Sequence, residues 1–373
     1  MNKRMGLIDQ LKGAFGGKND ITGQRIQLKV CMMGPRAAGK TTILTSIFHD
    51  SDKVLPTAGL YFKPMGNTMT TLKKGYDDLC EIFEHIPDES ATPLPGVKAS
   101  KEKTTFDFQL GLQGQGSKDK RTSVDVNITD FPGEMVDDTH PDHSEVLEFI
   151  KQSQVMMVAI DAVHLMEEDG RFNEVRNRSR YICEKISGML EQLDKDERKL
   201  ILFVPLKCEK YAVEHKMHDV SARVMKAYQP LIQAVEENYK NRIGLFIVPI
   251  QTLGGVVFDK FGRDTSGNIL LNAEDNNCPS DVRFKFFRAI PDRKPVYMPA
   301  YCVQPLYYLI AFALSEYKTE KGKGGVLSSF FKGLFGLFSS DLDFYQACRN
   351  FVANIKTTGQ GFVVINNPNM IKN

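Results

Sequence analysis

No stretch of this 373-residue chain approaches the roughly 18 to 20 apolar residues that a membrane-crossing helix needs. The first residues, Met1 to Lys18, lack the apolar core of a signal peptide. The seven cysteines are odd in number and form no C-x-x-C pair. That pattern argues against a disulfide framework and for reduced thiols in a cytoplasmic setting. Excess charge is also missing: 48 Lys and Arg stand against 46 Asp and Glu, a net charge of +2. Attraction to nucleic acid would need a clustered basic face instead, so no nucleic-acid partner is expected. No internal repeat of fixed period occurs. What remains is an ordinary balance of apolar and charged residues, long enough for one large α/β domain with additions or two small domains.

The order of segments is informative. Leu7, Ile8, Leu11 and Phe15 recur at helical spacing before Gly16-Gly17, which predicts a short amphipathic helix and a joint. Ile26 to Met33 mostly alternates and reads as a strand that enters a glycine loop directly. Ile43, Leu44, Ile47 and Phe48 then mark a helix with one buried face. Leu72, Tyr76, Leu79 and Phe83 predict a further helix over 66–86, followed by a proline-rich loop at Thr92 to Gly96. Phe106, Phe108, Leu110 and Leu112 alternate with polar or small residues, as do the apolar residues of Val124 to Thr129. The two runs predict an antiparallel hairpin. Val155 to Ile160, Leu200 to Val204 and Leu245 to Ile250 are continuous apolar runs, as central parallel strands covered on both faces require. Helical segments are expected at about 171–194 and 218–239, the second kinked at Pro230. Residues 255–295 form a polar insertion without clear period, 300–317 a closing helix, and Lys321 to Gly325 a linker. The order predicts an α/β fold: a three-layer, doubly wound, mostly parallel sheet.

Gly34-Pro35-Arg36-Ala37-Ala38-Gly39-Lys40-Thr41 satisfies G-x-x-x-x-G-K-[ST] in full, between a strand and an amphipathic helix. Glycines let backbone wrap a phosphate closely. Loop N–H groups, from Gly34, Ala37, Ala38 and Gly39 through to Thr42, and the helix N-terminus favour negative charge. Lys40 can reach the β- and γ-phosphates, and the Thr41 hydroxyl can ligate Mg2+. Asp130-Phe131-Pro132-Gly133-Glu134 closes the second hairpin strand. An acid at that strand end, Asp130, can hold a water on Mg2+. Gly133 can offer its N–H to a γ-phosphate and act as a hinge when that phosphate leaves. His140-Pro141-Asp142-His143 has too few ligands nearby for a metal site and reads as a solvated loop. The run Phe330 to Phe338 is too short to span a membrane. It reads as a packed or partner-binding tail ahead of a membrane-surface segment.

At this point the chain resembles the translation-factor and Ras-like (TRAFAC) class of P-loop GTPases. In that class an antiparallel strand precedes the DxxG strand. Pro205-Leu206-Lys207-Cys208-Glu209 resembles the class's base-reading [NT]KxD motif, with Lys207 at the lysine and Glu209 at the aspartate. Leu206 departs from the usual Asn or Thr. Pro249-Ile250-Gln251-Thr252-Leu253-Gly254-Gly255 resembles the loop whose backbone N–H meets the guanine oxygen, with Thr252 in it. The PLKCE and PIQTLGG pieces are similar to a bacterial group of double-GTPase-like proteins, thought to act in prokaryotic conflict and signalling systems. The resemblance implies that Glu134 occupies the water-orienting position and that Arg36 is a candidate arginine finger in cis or a solvent or partner contact. The switch threonine has four candidates, Thr57, Thr92, Thr104 and Thr105.

The expectation is a G-domain-like P-loop domain over 24–320, with insertions at about 50–103 and 255–299. An amphipathic segment at 1–23 precedes it, and a linker with a C-terminal extension follows at 321–373. The expected function is a GTP-binding switch with GTP or GDP and Mg2+ as cofactors and slow hydrolysis. Unknown protein partners would meet the switch segments and the C-terminal extension. The rivals are an ATPase of the same fold, and a nucleotide-bound scaffold without significant turnover.

Overall fold

Continuous apolar strands need cover on both faces, and the three such runs have it. In a computed structural model, residues 26–35, 38–84, 103–113, 123–131, 143–273, 277–286, 295–323 and 342–372 are described. Strands β5 (Val155–Asp161), β6 (Lys199–Leu206) and β7 (Ile243–Ile247) run parallel to one another, and every residue in them is buried. β1 (Ile26–Met33) lies parallel to β5 on one side and to β4 (Ser123–Asp130) on the other. β4 pairs antiparallel with β3 (Thr104–Leu112), and β3 with β2 (Leu60–Pro64). At the far edge β12 (Val363–Asn366) pairs antiparallel with β7. The sheet order is β12-β7-β6-β5-β1-β4-β3-β2. A parallel centre therefore carries antiparallel strands at both ends.

Alternation along β1 assigns its side chains to two cores. Leu28, Val30 and Met32 enter the core shared with α1 (Lys40–Val54), α10 (Gln304–Lys323) and α11 (Leu342–Val352). Cys31 and Met33 face the other core, with Val146 and Ile150 of α3 (His143–Gln152), Ile182 and Ile186 of α6 (Ser179–Leu190), and Leu231 and Val235 of α9 (Gln229–Asn238). Three layers result, as expected. Each large apolar side chain so buried contributes about 1.5–3 kcal/mol. The closing helix α10 is apolar all round and is buried throughout from Gln304 to Glu316, as such a helix must be. Among the described residues no helix is long and apolar enough to cross a membrane.

Several elements differ from the expectation. The antiparallel wing has three strands, because Leu60, Phe62 and Pro64 turn inward from a short edge strand. An unexpected short helix, α4 (Ala162–Met166), follows β5, and the expected helix over 171–194 is broken into α5 (Asn173–Asn177) and α6, with Arg178 in the left-handed region at the break. The helix over 218–239 divides at Tyr228 into α8 (Met217–Ala227) and α9, because Pro230 starts a helix but cannot continue one. The polar insertion after residue 255 holds β8 (Val256–Phe261) paired antiparallel with β11 (Val282–Phe286), and a second small pair, β9 (Leu271–Asn272) with β10 (Cys278–Pro279). Its core is Phe258 and Phe261 packed on Val163 and Phe172. α10 runs to Lys323, so the first residues of the expected linker are helical. The chain after residue 341 joins the main fold: Phe344 and Phe351 enter the core and β12 closes the sheet edge. The amphipathic segment at 1–23, the proline-rich loop, His140 to Asp142 and the Phe330–Phe338 run lie outside the described residues.

Candidate nucleotide site

The phosphate loop follows from how tightly β1 meets β5. Gly34 has φ 149°, and a Cβ there would lie 2.5 Å from the Ala159 carbonyl oxygen of β5. Only glycine fits. Gly39, at φ 105°, is the N-cap of α1 and offers no side chain to its first amides. The first turn of α1 also carries no acid. Its unpaired N–H groups and its dipole therefore present positive charge to the loop. Ala38 is buried beneath the loop, while Thr41 and Thr42 are half-buried in the first turn.

Lys40 is almost completely buried. Its Nζ donates to the Gly34 and Pro35 carbonyl oxygens, both at 3.0 Å, and stands 3.5 Å from Asp130 Oδ1. Burial lowers the lysine pKa, Asp130 opposes that shift, and the like charge of Arg176 adds to it. Asp130 reaches the site because it ends β4, opposite Met32 in the ladder. Burial pushes its carboxyl up to about 6 against the pull of Lys40. At 3.5 Å the ammonium is an ionic neighbour, and Oδ1 has no hydrogen-bond donor among the described residues. A buried carboxylate oxygen without a donor, together with the hydroxyl that Thr41 carries at the helix start, is a hard-oxygen set that suits Mg2+. Among the described residues no cluster of three or more His, Cys, Asp or Glu could cage a metal by itself. Arg36, Ala37, Gly133 and Glu134 lie outside the described residues.

The base-side residues also converge. Leu206 ends β6 fully buried, and its Cδ1 would be 3.8 Å from a Cβ on Gly39. An apolar side chain thus stands beside the phosphate loop where the resembled motif carries Asn or Thr. Lys207, in the left-handed region at φ 61°, sends Nζ to Asp161 Oδ2 at 2.7 Å. Asp161 closes β5 and caps α4 through the amides of Val163 and His164. Burial alone would raise its carboxyl; Lys207, then His164 with Nδ1 at 3.0 Å, overcome that and hold it well below the usual range. Glu209 opens α7 (Glu209–Val213) and is also buried. Its Oε1 accepts from Leu253 N at 2.6 Å, Gly254 N at 3.3 Å and Thr252 Oγ1 at 3.3 Å. Burial raises its carboxyl, and the Leu253 amide leads the bonds that resist this.

Gly34, Ala38, Gly39, Lys40, Thr41, Thr42 and Asp130 therefore gather as one half of the candidate site, and Lys207, Glu209 and Thr252 as the other. Of the switch-threonine candidates, Thr104 stands opposite Asp130 in the β3–β4 ladder and Thr105 meets Thr129 Oγ1 at 3.0 Å. Thr57 is exposed and donates to Val54 O, and Thr92 is outside the described residues. Sequence reasoning missed Asp161, Arg176 and Asn177. Asn177 clips α5 to the end of β5 by exchanging hydrogen bonds with the Asp161 backbone at 2.8 and 3.1 Å. An acid at the exit of a continuous apolar strand was the available signal for Asp161; Arg176 and Asn177 gave none.

The chain is similar in structure to the GTPase-like domain of S. cerevisiae Ski7. With the GTP-bound form it shares 13% identity at a TM-score of 0.35, covering 67% of this chain and 46% of that one. With the form bound to GDP and inorganic phosphate it shares 16% identity at a TM-score of 0.34, covering 62% and 44%. LeoA, a bacterial dynamin GTPase from ETEC, matches at 14% identity and a TM-score of 0.31, covering 66% and 33%. The chain spans less than half the length of each of these structures. No curated protein matches the chain. A family model described as Double-GTPase 2 matches residues 29–241, more than half of the chain, and the chain belongs to that GTPase family.

Proposed function

We propose that the chain is a guanine-nucleotide switch: it binds GTP with Mg2+, hydrolyses it slowly and signals through protein partners. The observation that carries the reading is the Lys40–Asp130 pair beneath an uncapped helix start, with a carboxylate, Glu209, at the base-reading position. Lys40 exchanges the Gly34 and Pro35 carbonyls for phosphate oxygens, so its charge is held in place before the ligand arrives. Thr41 would ligate Mg2+ directly and Asp130 through water. The ion supplies neutralisation of the phosphate charge. Glu209 accepts from the guanine N1–H and 2-amino groups, and this falls to Oε2 because Oε1 already holds three donors. Following the resemblance, Gly133 reports the γ-phosphate, Glu134 orients water and Arg36 faces the transferred charge or a partner. The partners meet the segment after Asp130 and the C-terminal residues.

An ATPase reading has one observation in its favour. The Leu253 and Gly254 amides, in the loop that the resemblance assigns to the guanine oxygen, are engaged by Glu209. Phosphate release from GTP and ATP, measured with Mg2+ on wild type and Lys40→Ala, tests both readings. Slow release from GTP that the variant abolishes is expected, with GTP affinity falling about a hundredfold, the upper range for a charged hydrogen bond. Release from ATP alone would favour the second reading. Retained nucleotide with no release would leave a scaffold.

A further inference from the structure

The phosphate helix and the base loop are distant in sequence, yet a third segment joins them. Residues 295–300 run alongside the base loop. Gln251 and Ala300 exchange backbone hydrogen bonds at 3.1 and 2.9 Å, and Met298 N donates to Leu253 O at 3.2 Å. Gly254 bridges Tyr297 across the same pair. A Cβ on Gly254 would lie 1.7 Å from Met298 O, so glycine alone allows the approach. The segment is extended, and its side chains alternate. Val296 and Met298 are exposed, at 59% and 60%, while Tyr297 between them turns inward. Its ring meets Tyr76 edge-on at 5.7 Å and Phe83 at 6.0 Å. Its Oη lies 2.5 Å from Ser46 Oγ on the phosphate helix α1.

Proton accounting gives that contact a direction. A serine hydroxyl has one proton to donate. Ser46 gives it to the Thr42 carbonyl at 2.8 Å. Both contacts are hydrogen bonds together only when the Tyr297 phenol donates to Ser46. A continuous path follows: Thr42 in the first turn of α1, Ser46, Tyr297, the 297–300 backbone, Leu253 and Gly254, and Glu209. A nucleotide engages the two ends of this path together. A ligand that spans two subsites is held best when their separation is fixed beforehand.

We infer that Tyr297 is a positioning residue of the nucleotide site, whose phenol fixes the base loop relative to the phosphate helix and thereby slows nucleotide release. The inference rests on the guanine-nucleotide reading above. It makes a distinction that a general loss of stability would not: the strut matters for a ligand with both base and phosphates and is indifferent to phosphates alone.

The test compares wild type, Tyr297→Phe, Ser46→Ala and the double variant. GDP and GTP release rates are measured with Mg2+, together with the affinity for inorganic tripolyphosphate. Each single variant is expected to speed release about fivefold, the scale of one net hydrogen bond. The double variant should release no faster than the singles, and tripolyphosphate affinity should stay at the wild-type value. Additive effects of the two singles, or tripolyphosphate binding weakened in parallel, would overturn the inference, because the changes would then be independent or local to α1. Wild-type release rates in both singles would overturn it as well while leaving the guanine reading intact. Wild-type protein that binds tripolyphosphate but no guanine nucleotide would overturn the guanine reading, and this inference with it.

Discussion

The two halves of the site are built on opposite plans. The phosphate half leaves its polar groups unspent: the amides at the start of α1 have no side-chain cap, and Asp130 Oδ1 has no hydrogen-bond donor among the described residues. The base half is internally satisfied: Lys207 is paired with Asp161, and Glu209 holds three donors on one oxygen. Unspent buried polarity costs stability until a ligand compensates it. Satisfied polarity rigidifies, and a ligand must share or displace what is already bonded. On the proposed reading the phosphate half would accept any polyphosphate, and selectivity would rest on how far the base half can yield.

The largest effect should come from the base half. Asp161→Asn removes one partner of a buried charged pair and is expected to destabilise the fold by about 3–5 kcal/mol at neutral pH in denaturant unfolding. Because the Asp161 carboxyl is held well below its ordinary value, its stabilisation is present above the ordinary carboxylate range and is lost as pH falls below it. The gap between wild type and variant should therefore narrow in acid. A gap independent of pH would break the comparison.

Asp130 should behave in the opposite sense. Its carboxyl is raised to about 6, so the stability it contributes is present below the ordinary carboxylate range and is lost as pH rises through about 6. Asp130→Asn should remove that slope from the nucleotide-free protein and leave it no less stable than wild type at pH 7. The same variant should lose the Mg2+ dependence of triphosphate binding. A variant clearly less stable at pH 7 would mean that the Lys40 pairing outweighs the burial cost, and that the phosphate half is not unspent.

A smaller effect is expected from shortening Glu209. Glu209→Asp draws the carboxylate back from the Leu253 and Gly254 amides. Competition binding should show the preference for GTP over ATP rising about tenfold, the scale of one hydrogen bond restored to the base. An unchanged ratio would mean that those amides do not meet the base.

The same contrast explains what the sequence disclosed. The phosphate loop was legible because Gly34, Gly39 and Lys40 are needed by local backbone geometry, and a strand and a helix flank them. The parallel centre was legible because burial on both faces leaves no polar residue in Val155 to Ile160. The edges were not. Leu60 to Pro64 is a short strand ending in proline, and only its partner β3 makes it one. β12 pairs with a strand more than a hundred residues earlier, and no local pattern encodes that pairing. Val256 to Phe258 finds its partner across a long polar stretch, so the insertion looked aperiodic. Tyr297 was hidden for the same reason: its role depends on Ser46, on the far side of the site. Lys207 and Glu209 stood out in the sequence as proposed base readers, but not the internal bonds that already occupy both.

Equilibrium competition between GTP and ATP for the wild-type protein, with Mg2+ present, tests the central claim most directly. The account predicts that both compete through the phosphate half and that GTP wins through Glu209. Equal competition, or preference for ATP, would contradict the assignment of Glu209 as a base reader.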